Sequence, residues 1–253
     1  MNVVCKFLQS SLGKKYVMAA TGFVLVAFAV GHMVGNLQFY LPPEAINRYA
    51  RLLHFSDELL WGVRLVMLSA VALHLWAAVT LSLENKAARP QGYYGNPAPL
   101  AASYASRTML ISGSIIFAFV VYHLLHYTMR VESINGASVP FSSLLAEDGK
   151  LDVYAMMVAG FSVWYVSLFY LVGVGLLCLH LSHGIQAMFQ SLGWKNHVYG
   201  PLLSNAAKVV AIVLFLGYAS IPLSVVVWQH GKAYLQEVAL KASAHAPAGE
   251  VKK

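Results

Sequence analysis

Five runs of apolar residues divide this chain, and each is long enough to cross a bilayer as a helix, which takes about 20 residues. The runs are Tyr16–Leu41, Leu59–Leu83, Thr108–Met129, Val163–Phe189 and Ala206–Trp228. None of them alternates polar with apolar residues, as the strands of a membrane barrel would. The pattern predicts an all-α integral membrane bundle of five transmembrane helices, a single domain over residues 1–240. The first run passes through a histidine into GNLQFY, and no small-residue cleavage site follows. It is therefore expected to remain as a membrane helix rather than leave as a signal peptide.

The segments between the runs carry the punctuation. Pro42 and Pro43 end the first helix, and EAINRYARLLHFSDELLW after them has the spacing of a short helix lying at the interface. Trp61 falls at the level of an aromatic belt. Pro90, Pro97 and Pro99 break the chain after the second helix and make a loop there. The stretch from Val153 to Phe189 is apolar for far more than one bilayer thickness. Either it tilts strongly or it begins as a helix standing outside the membrane. Asn205 is expected to cap the fifth helix, and residues 241–253, KASAHAPAGEVKK, read as a disordered tail.

Composition agrees with the pattern. The chain is 58% hydrophobic and 11% charged, where soluble domains average about 25% charged residues. Basic residues orient it. Lys6, Lys14 and Lys15 precede the first helix; Lys86, Arg89 and Arg107 lie between the second and third; Lys195 and Lys208 lie between the fourth and fifth. The opposite loops hold Glu44, Asp57, Glu58, Glu132, Glu147, Asp148 and Asp152. The N-terminus is thus expected in the cytoplasm and the C-terminus outside. The net charge of +7 suits cytoplasmic loops beside anionic membrane lipid. No arginine-rich, aromatic-interleaved patch points to nucleic acid. Cys5 and Cys178 fall at different depths and are not expected to pair, and no CxxC spacing marks a thiolate metal site.

The candidate chemistry lies in the histidines. An ionisable side chain inside a membrane span is costly, so it is a functional candidate by default. His54, His197, His230 and His245 fall in loops, at a helix end or in the tail, whereas His32, His74, His123, His126, His180 and His183 fall inside helices one to four. Helical rise converts position into depth at about 1.5 Å per residue. Counted from Lys15, His32 is about 25 Å from the inner surface; counted from Arg107, His123 is about 24 Å in and His126 about 28 Å. Counted back from Glu84, His74 is about 15 Å in; from Lys195, His183 is about 18 Å in and His180 about 22 Å. Two layers follow, His32 with His123 and His74 with His183. Matched pairs of imidazoles at one height are what a bis-histidine heme requires, and such hemes carry electrons rather than oxygen. Asp and Glu are missing from the helix cores, which argues against a proton relay or a metal transporter. His126 and His180 share helix faces with the preferred ligands and leave the choice in helices three and four open. Gly31 and Gly35 flank His32 and would let a bulky group approach the backbone.

Seven blocks, in order, resemble a known family. They are SSLGKKYVMAATG at 10–22, GHMVGNLQFY at 31–40, EAINRYARLLH at 44–54, ELLWGVRLVML at 58–68, LHLWAAVTLSLENKAARP at 73–90, VYHLLHYT at 121–128 and HLSHGIQAMFQSLGW at 180–194. The family is the five-helix, diheme cytochrome b membrane anchor of succinate dehydrogenases and fumarate reductases. The resemblance implies two heme b groups, the outer on His32 and His123 and the inner on His74 and His183. It implies a flavoprotein subunit and an iron–sulfur subunit as partners, a quinone (menaquinone) as membrane substrate, and a multi-pass place in a bacterial cytoplasmic membrane. The dicarboxylate chemistry would belong to the partners, and this chain is expected to hold no catalytic residue for it.

Two sets of polar residues are assigned around those hemes. Heme propionates need cationic or hydroxyl partners, for which Ser10, Ser11 and Lys195 are the inner candidates and Arg51, His54 and Arg64 the outer ones. A quinone needs hydrogen-bond partners and a proton route at the membrane edge, and Asn36, Gln38, Arg51, His54, Glu58 and His126 are placed there. The diheme b subunit of a hydrogenase or formate dehydrogenase would use the same paired imidazoles. A histidine-lined transporter would bind no cofactor.

Overall fold

The computed structural model describes residues 3–88 and 107–245. The proline-bearing loop with Arg89, Pro90, Pro97 and Pro99, and the tail beyond His245, lie outside the described residues. The described helices are α1 (Val3–Gln9), α2 (Ser11–Asn36), α3 (Pro43–Leu53), α4 (Asp57–Ala87), α5 (Met109–His123), α6 (Glu132–Asn135), α7 (Val153–Phe161), α8 (Trp164–Ser191), α9 (Gly200–Trp228) and α10 (Lys232–His245). Five segments are long and apolar enough to cross a membrane: α2 with the 3₁₀ turn that follows it, α4, α5 with the π turn that follows it, α8 and α9. The chain is an all-α, multi-pass membrane bundle. Helix α10 extends to His245, so the first residues of the expected tail are ordered.

The chain divides into two compact units. The first draws on Met1–His32, Ser56–Ile116 and Gly175–Phe215. Here the Ser10 hydroxyl accepts from the Gly13 amide at 2.9 Å, which caps the start of α2. One turn further, the buried Lys14 ammonium pairs with the Glu84 carboxylate and donates to the Gln9 carbonyl, tying the beginning of α2 to the end of α4. Helix α8 stops at Ser191 because the amides of Trp194 and Lys195 both turn back to the Phe189 carbonyl, with Gly193 at φ +76°. A left-handed residue past a helix end favours glycine, which has no Cβ to clash. The Asn196 side chain accepts from the amides of Val198 and Tyr199 at 2.9 and 2.8 Å and starts α9 at Gly200. Asn205 therefore lies inside the helix it was expected to cap. The stronger signal was the asparagine beyond the Gly193 turn.

The second unit draws on Met33–Phe55, Phe117–Val174 and Leu216–Lys253. It explains the overlong apolar stretch. Helix α7 is separate from α8, and Tyr154 through Phe161 are all buried. Its Ala155, Met156 and Ala159 form a core with Phe141, Leu144 and Val238. A helix apolar on every side needs partners on every side, and α3 and α10 supply two of them.

A single carboxylate organises that packing. Asp152 is fully buried and caps α7 by accepting from the Ala155 amide at 2.8 Å. The Asn47 amide of α3 donates to it at 3.1 Å, and the Tyr234 phenol of α10 donates at 2.6 Å. Asn47 in turn accepts from the amides of Val153 and Tyr154. Burial and the Asp152 hydrogen bond push the Tyr234 phenol up from its ordinary value, so it remains a donor at neutral pH. Replacing Asp152 with Ala removes a helix cap and leaves Asn47 and Tyr234 with unmet donors. The expected loss is about 3 kcal/mol, read as a lowered midpoint in thermal denaturation of the detergent-solubilised protein, with Tyr234→Phe losing about 1 kcal/mol.

Candidate functional site

The first unit contains four of the span histidines, His32, His74, His180 and His183. Two are held alike. The His74 Nδ1 of α4 lies 3.1 Å from the Thr21 hydroxyl of α2, with Gly22 against the same ring, where an added Cβ would sit 3.5 Å away. The His180 Nδ1 of α8 lies 3.2 Å from the Ser112 hydroxyl of α5, with Gly113 against that ring and an added Cβ 3.4 Å away. Each site is therefore a hydroxyl followed by a glycine, facing an imidazole on another helix.

One proton arrangement satisfies both sites. Thr21 lies 2.7 Å from the Val17 carbonyl and Ser112 3.2 Å from the Met109 carbonyl, and each hydroxyl can donate there. In that arrangement each oxygen accepts from its histidine, the ring tautomer setting the direction. Nδ1 then carries hydrogen and Nε2 keeps a lone pair. This is the tautomer that an outer hydrogen bond imposes on a metal-ligating histidine. His74 and His180 also lie close enough for their charges to interact.

The support falls on His180, not on the sequence-preferred His183, and the end of α8 explains why. Lys195 lies beyond the helix, so a depth counted from it adds residues that do not rise along the axis. Counted from the helix ends, Ser191 and Ala87, His180 is about 17 Å up α8 and His74 about 20 Å up α4, while His183 falls to about 12 Å. His183 instead lies within electrostatic reach of the Lys195 ammonium.

A cleft of about 410 Å³ opens beside Thr21 in the same unit. Ala20 and Val24 of α2 and Leu65, Ser69, Ala70 and Leu73 of α4 line it. Gly31 has open space where a Cβ would be, as a close-approaching group requires. His32 stacks on Phe28 with ring centroids 5.4 Å apart. Among the described residues no three His, Cys, Asp or Glu side chains gather as a metal-ion site. A heme asks only two ligands of the protein, because the porphyrin supplies the rest.

The second unit holds His123 and His126. The α-helix gives way to a π turn over Leu124–Thr128, where Met129 donates back to the Leu124 carbonyl. Such turns often mark functional positions. Both imidazoles meet the buried Tyr170 hydroxyl of α8, His123 through Nδ1 at 3.3 Å and His126 through Nδ1 at 3.0 Å. His126 is fully buried, with ring centroids 4.2 Å from Tyr127 and 5.4 Å from Phe141. That places it in a packed interior.

The remaining assigned residues are dispersed among local partners. Arg51 pairs with Asp148 at 3.2 Å, and His54 donates from Nδ1 to the Ala50 carbonyl of its own helix. Glu58 accepts from Ser56, the residue that caps α4, and Arg64 lies over the Trp61 ring at 5.1 Å. Ser10 caps α2 and Ser11 faces Glu84. Gly35 is filled by Tyr49, whose hydroxyl would be 2.7 Å from an added Cβ, so it is not open to a cofactor. Asn36 ends α2, and Gln38 lines a cleft of about 410 Å³ with Ala45, Arg48, Tyr49 and Leu52.

Thr21, Ser112 and Tyr170 escaped the sequence reading. For the first two a signal existed, a hydroxyl residue followed by glycine shortly after a basic residue in both α2 and α5. Tyr170 carried none. Compared with known protein families, curated proteins and solved structures, the chain finds no match. In the second unit, Gly160→Ala would put a methyl group 2.5 Å from the Tyr127 hydroxyl and 3.1 Å from the His126 ring. It should destabilise the protein by about 1–3 kcal/mol, seen as a lowered thermal midpoint.

Proposed function

We propose that this chain is the heme-bearing membrane anchor of a succinate:quinone oxidoreductase, with His74 and His180 as the iron ligands of one heme b. The observation that carries this reading is the repeated hydroxyl–Nδ1 bond, which leaves two Nε2 lone pairs on two different helices of the first unit. Sequence depth assigns the ligands of a second heme b, His32 and His123. The donor set fits the group: hydroxyls orient both inner imidazoles, Gly22 and Gly113 leave room for their rings, and Gly31 leaves room beside the backbone.

Bound in this way, heme supplies reversible one-electron transfer without an open coordination position for oxygen. The residues of the chain do the rest. Thr21 and Ser112 hold the imidazoles in one tautomer and orientation and raise their basicity. Apolar side chains of α2 and α4 line the cleft beside Thr21. Gln38, Arg48 and Tyr49 present hydrogen-bond donors in a cleft of the second unit, suited to the carbonyl oxygens of a quinone such as menaquinone. The seven sequence blocks support a flavoprotein and an iron–sulfur partner on the cytoplasmic side.

The visible spectrum of the purified, reduced protein should show b-type bands with two hemes per chain. A chain without heme sinks the reading, and copurification with a hydrogenase or formate dehydrogenase subunit in place of a flavoprotein redirects it. Single changes His74→Ala and His180→Ala should each remove one heme, while His183→Ala keeps both. Thr21→Val and Ser112→Ala should keep the fold and weaken retention of one heme about 10-fold, measured by titration with heme or its loss to an acceptor protein.

A further inference from the structure

The Tyr170 hydroxyl has one proton and two imidazole neighbours. His123 Nδ1 is 3.3 Å away and His126 Nδ1 is 3.0 Å away. If Tyr170 donates to one nitrogen, the other must carry hydrogen and donate to Tyr170. Two orders are therefore available, and they have opposite consequences. With the Tyr170 proton on the His123 side, His123 would be protonated at Nε2 and unable to bind iron. With the Tyr170 proton on the His126 side, His123 donates from Nδ1 and keeps its Nε2 lone pair, while His126 carries its hydrogen on Nε2.

We propose that Tyr170 is a tautomer lock that accepts from His123 and donates to His126, reserving His123 for metal and disabling its neighbour. The inference rests on the heme reading above. One observation bears on this order and a second on which imidazole a porphyrin can reach. A hydroxyl meets Nδ1 at His74 and at His180, and Tyr170 stands to His123 as Thr21 and Ser112 stand to them, so an accepting oxygen at all three gives one ligand tautomer. The His126 Nε2 is buried without a hydrogen-bond partner among the described residues, in a niche closed by Tyr127, Phe141 and Gly160. An Nε2 enclosed there has no approach for a porphyrin, and the order leaves its hydrogen without an acceptor, a cost that ligation through His123 must offset. The two histidines stand three residues apart on one helix face, where a π turn begins at Leu124, and both Nδ1 atoms reach one hydroxyl.

The lock answers a problem that the sequence poses. Two histidines near one helix end could compete for iron, and mixed ligation would give two populations of heme. Tyr170 is a positioning residue, acting through His123 rather than on substrate. Its acceptor oxygen also makes His123 the more electron-donating ligand, which lowers the potential of the heme it binds.

The test is Tyr170→Phe in the full chain, followed by heme counting and a redox titration with electron paramagnetic resonance of the oxidised protein. The expected result is two hemes retained, with one potential raised and its low-spin signal displaced, and the other heme unchanged. Two unchanged hemes overturn the lock while leaving the heme reading standing. The second measurement is the count in His123→Ala and His126→Ala: one heme and two hemes, respectively, are expected, and the reverse result overturns the assignment. Absence of heme from the unaltered chain would overturn the functional reading and the lock together.

Discussion

A neutral imidazole in hydrocarbon has one N–H and one lone pair, and no water is there to satisfy either. This constraint shapes both units. Thr21, Ser112 and Tyr170 each place an oxygen on an Nδ1 atom, and each belongs to a different helix from the histidine it serves. Thr21 and Ser112 also lie within reach of carbonyls of their own helices, which can take their protons. The backbone of one helix thereby bears on which nitrogen of another helix keeps its lone pair.

The spans themselves are not packed like a soluble core. Only 17% of the most apolar stretch of α2, α4 and α5 is buried, against 39% for α8 and α9. In a bilayer such faces can meet lipid at little cost, because apolar side chains gain nothing by leaving hydrocarbon for each other. The polar contacts between helices therefore weigh more in specifying the arrangement. Lys14 with Glu84 joins α2 to α4, and Thr21 with His74 joins them again at greater depth. The second unit uses a different method. Asp152 draws α3, α7 and α10 onto one carboxylate, and the buried side chains of α7 close over it.

Much of this was legible beforehand. Span number, the break at Pro42-Pro43, the short helix that follows and the six span histidines all follow from local pattern, since length and hydropathy decide membrane insertion almost independently of tertiary contacts. The overlong stretch after Val153 was legible only as a choice, which Asp152 resolved by capping a separate helix. Depth counted from Lys195 runs through the Gly193 turn, which hydropathy does not mark, and so overstates the height of both His180 and His183. Asn205 was misassigned for a related reason: cap signals are short, and Asn196 stood closer to the true helix start. The polar residues Arg51, His54 and Glu58 suggest a quinone site through their composition, and each also has a partner of its own that the sequence pattern does not reveal.

By itself the sequence determined the class of the protein, the approximate course of its spans and which residue types stand at depth. These depend on interactions within a few turns of helix and with solvent. It could not determine which hydroxyl faces which imidazole, nor that the helix after His123 widens so that two histidines share one tyrosine. Those contacts join residues 44 to 68 positions apart, and they depend on how one helix is rotated against another. A rotation of that kind leaves the hydrophobic pattern unchanged, so only the tertiary structure could reveal it.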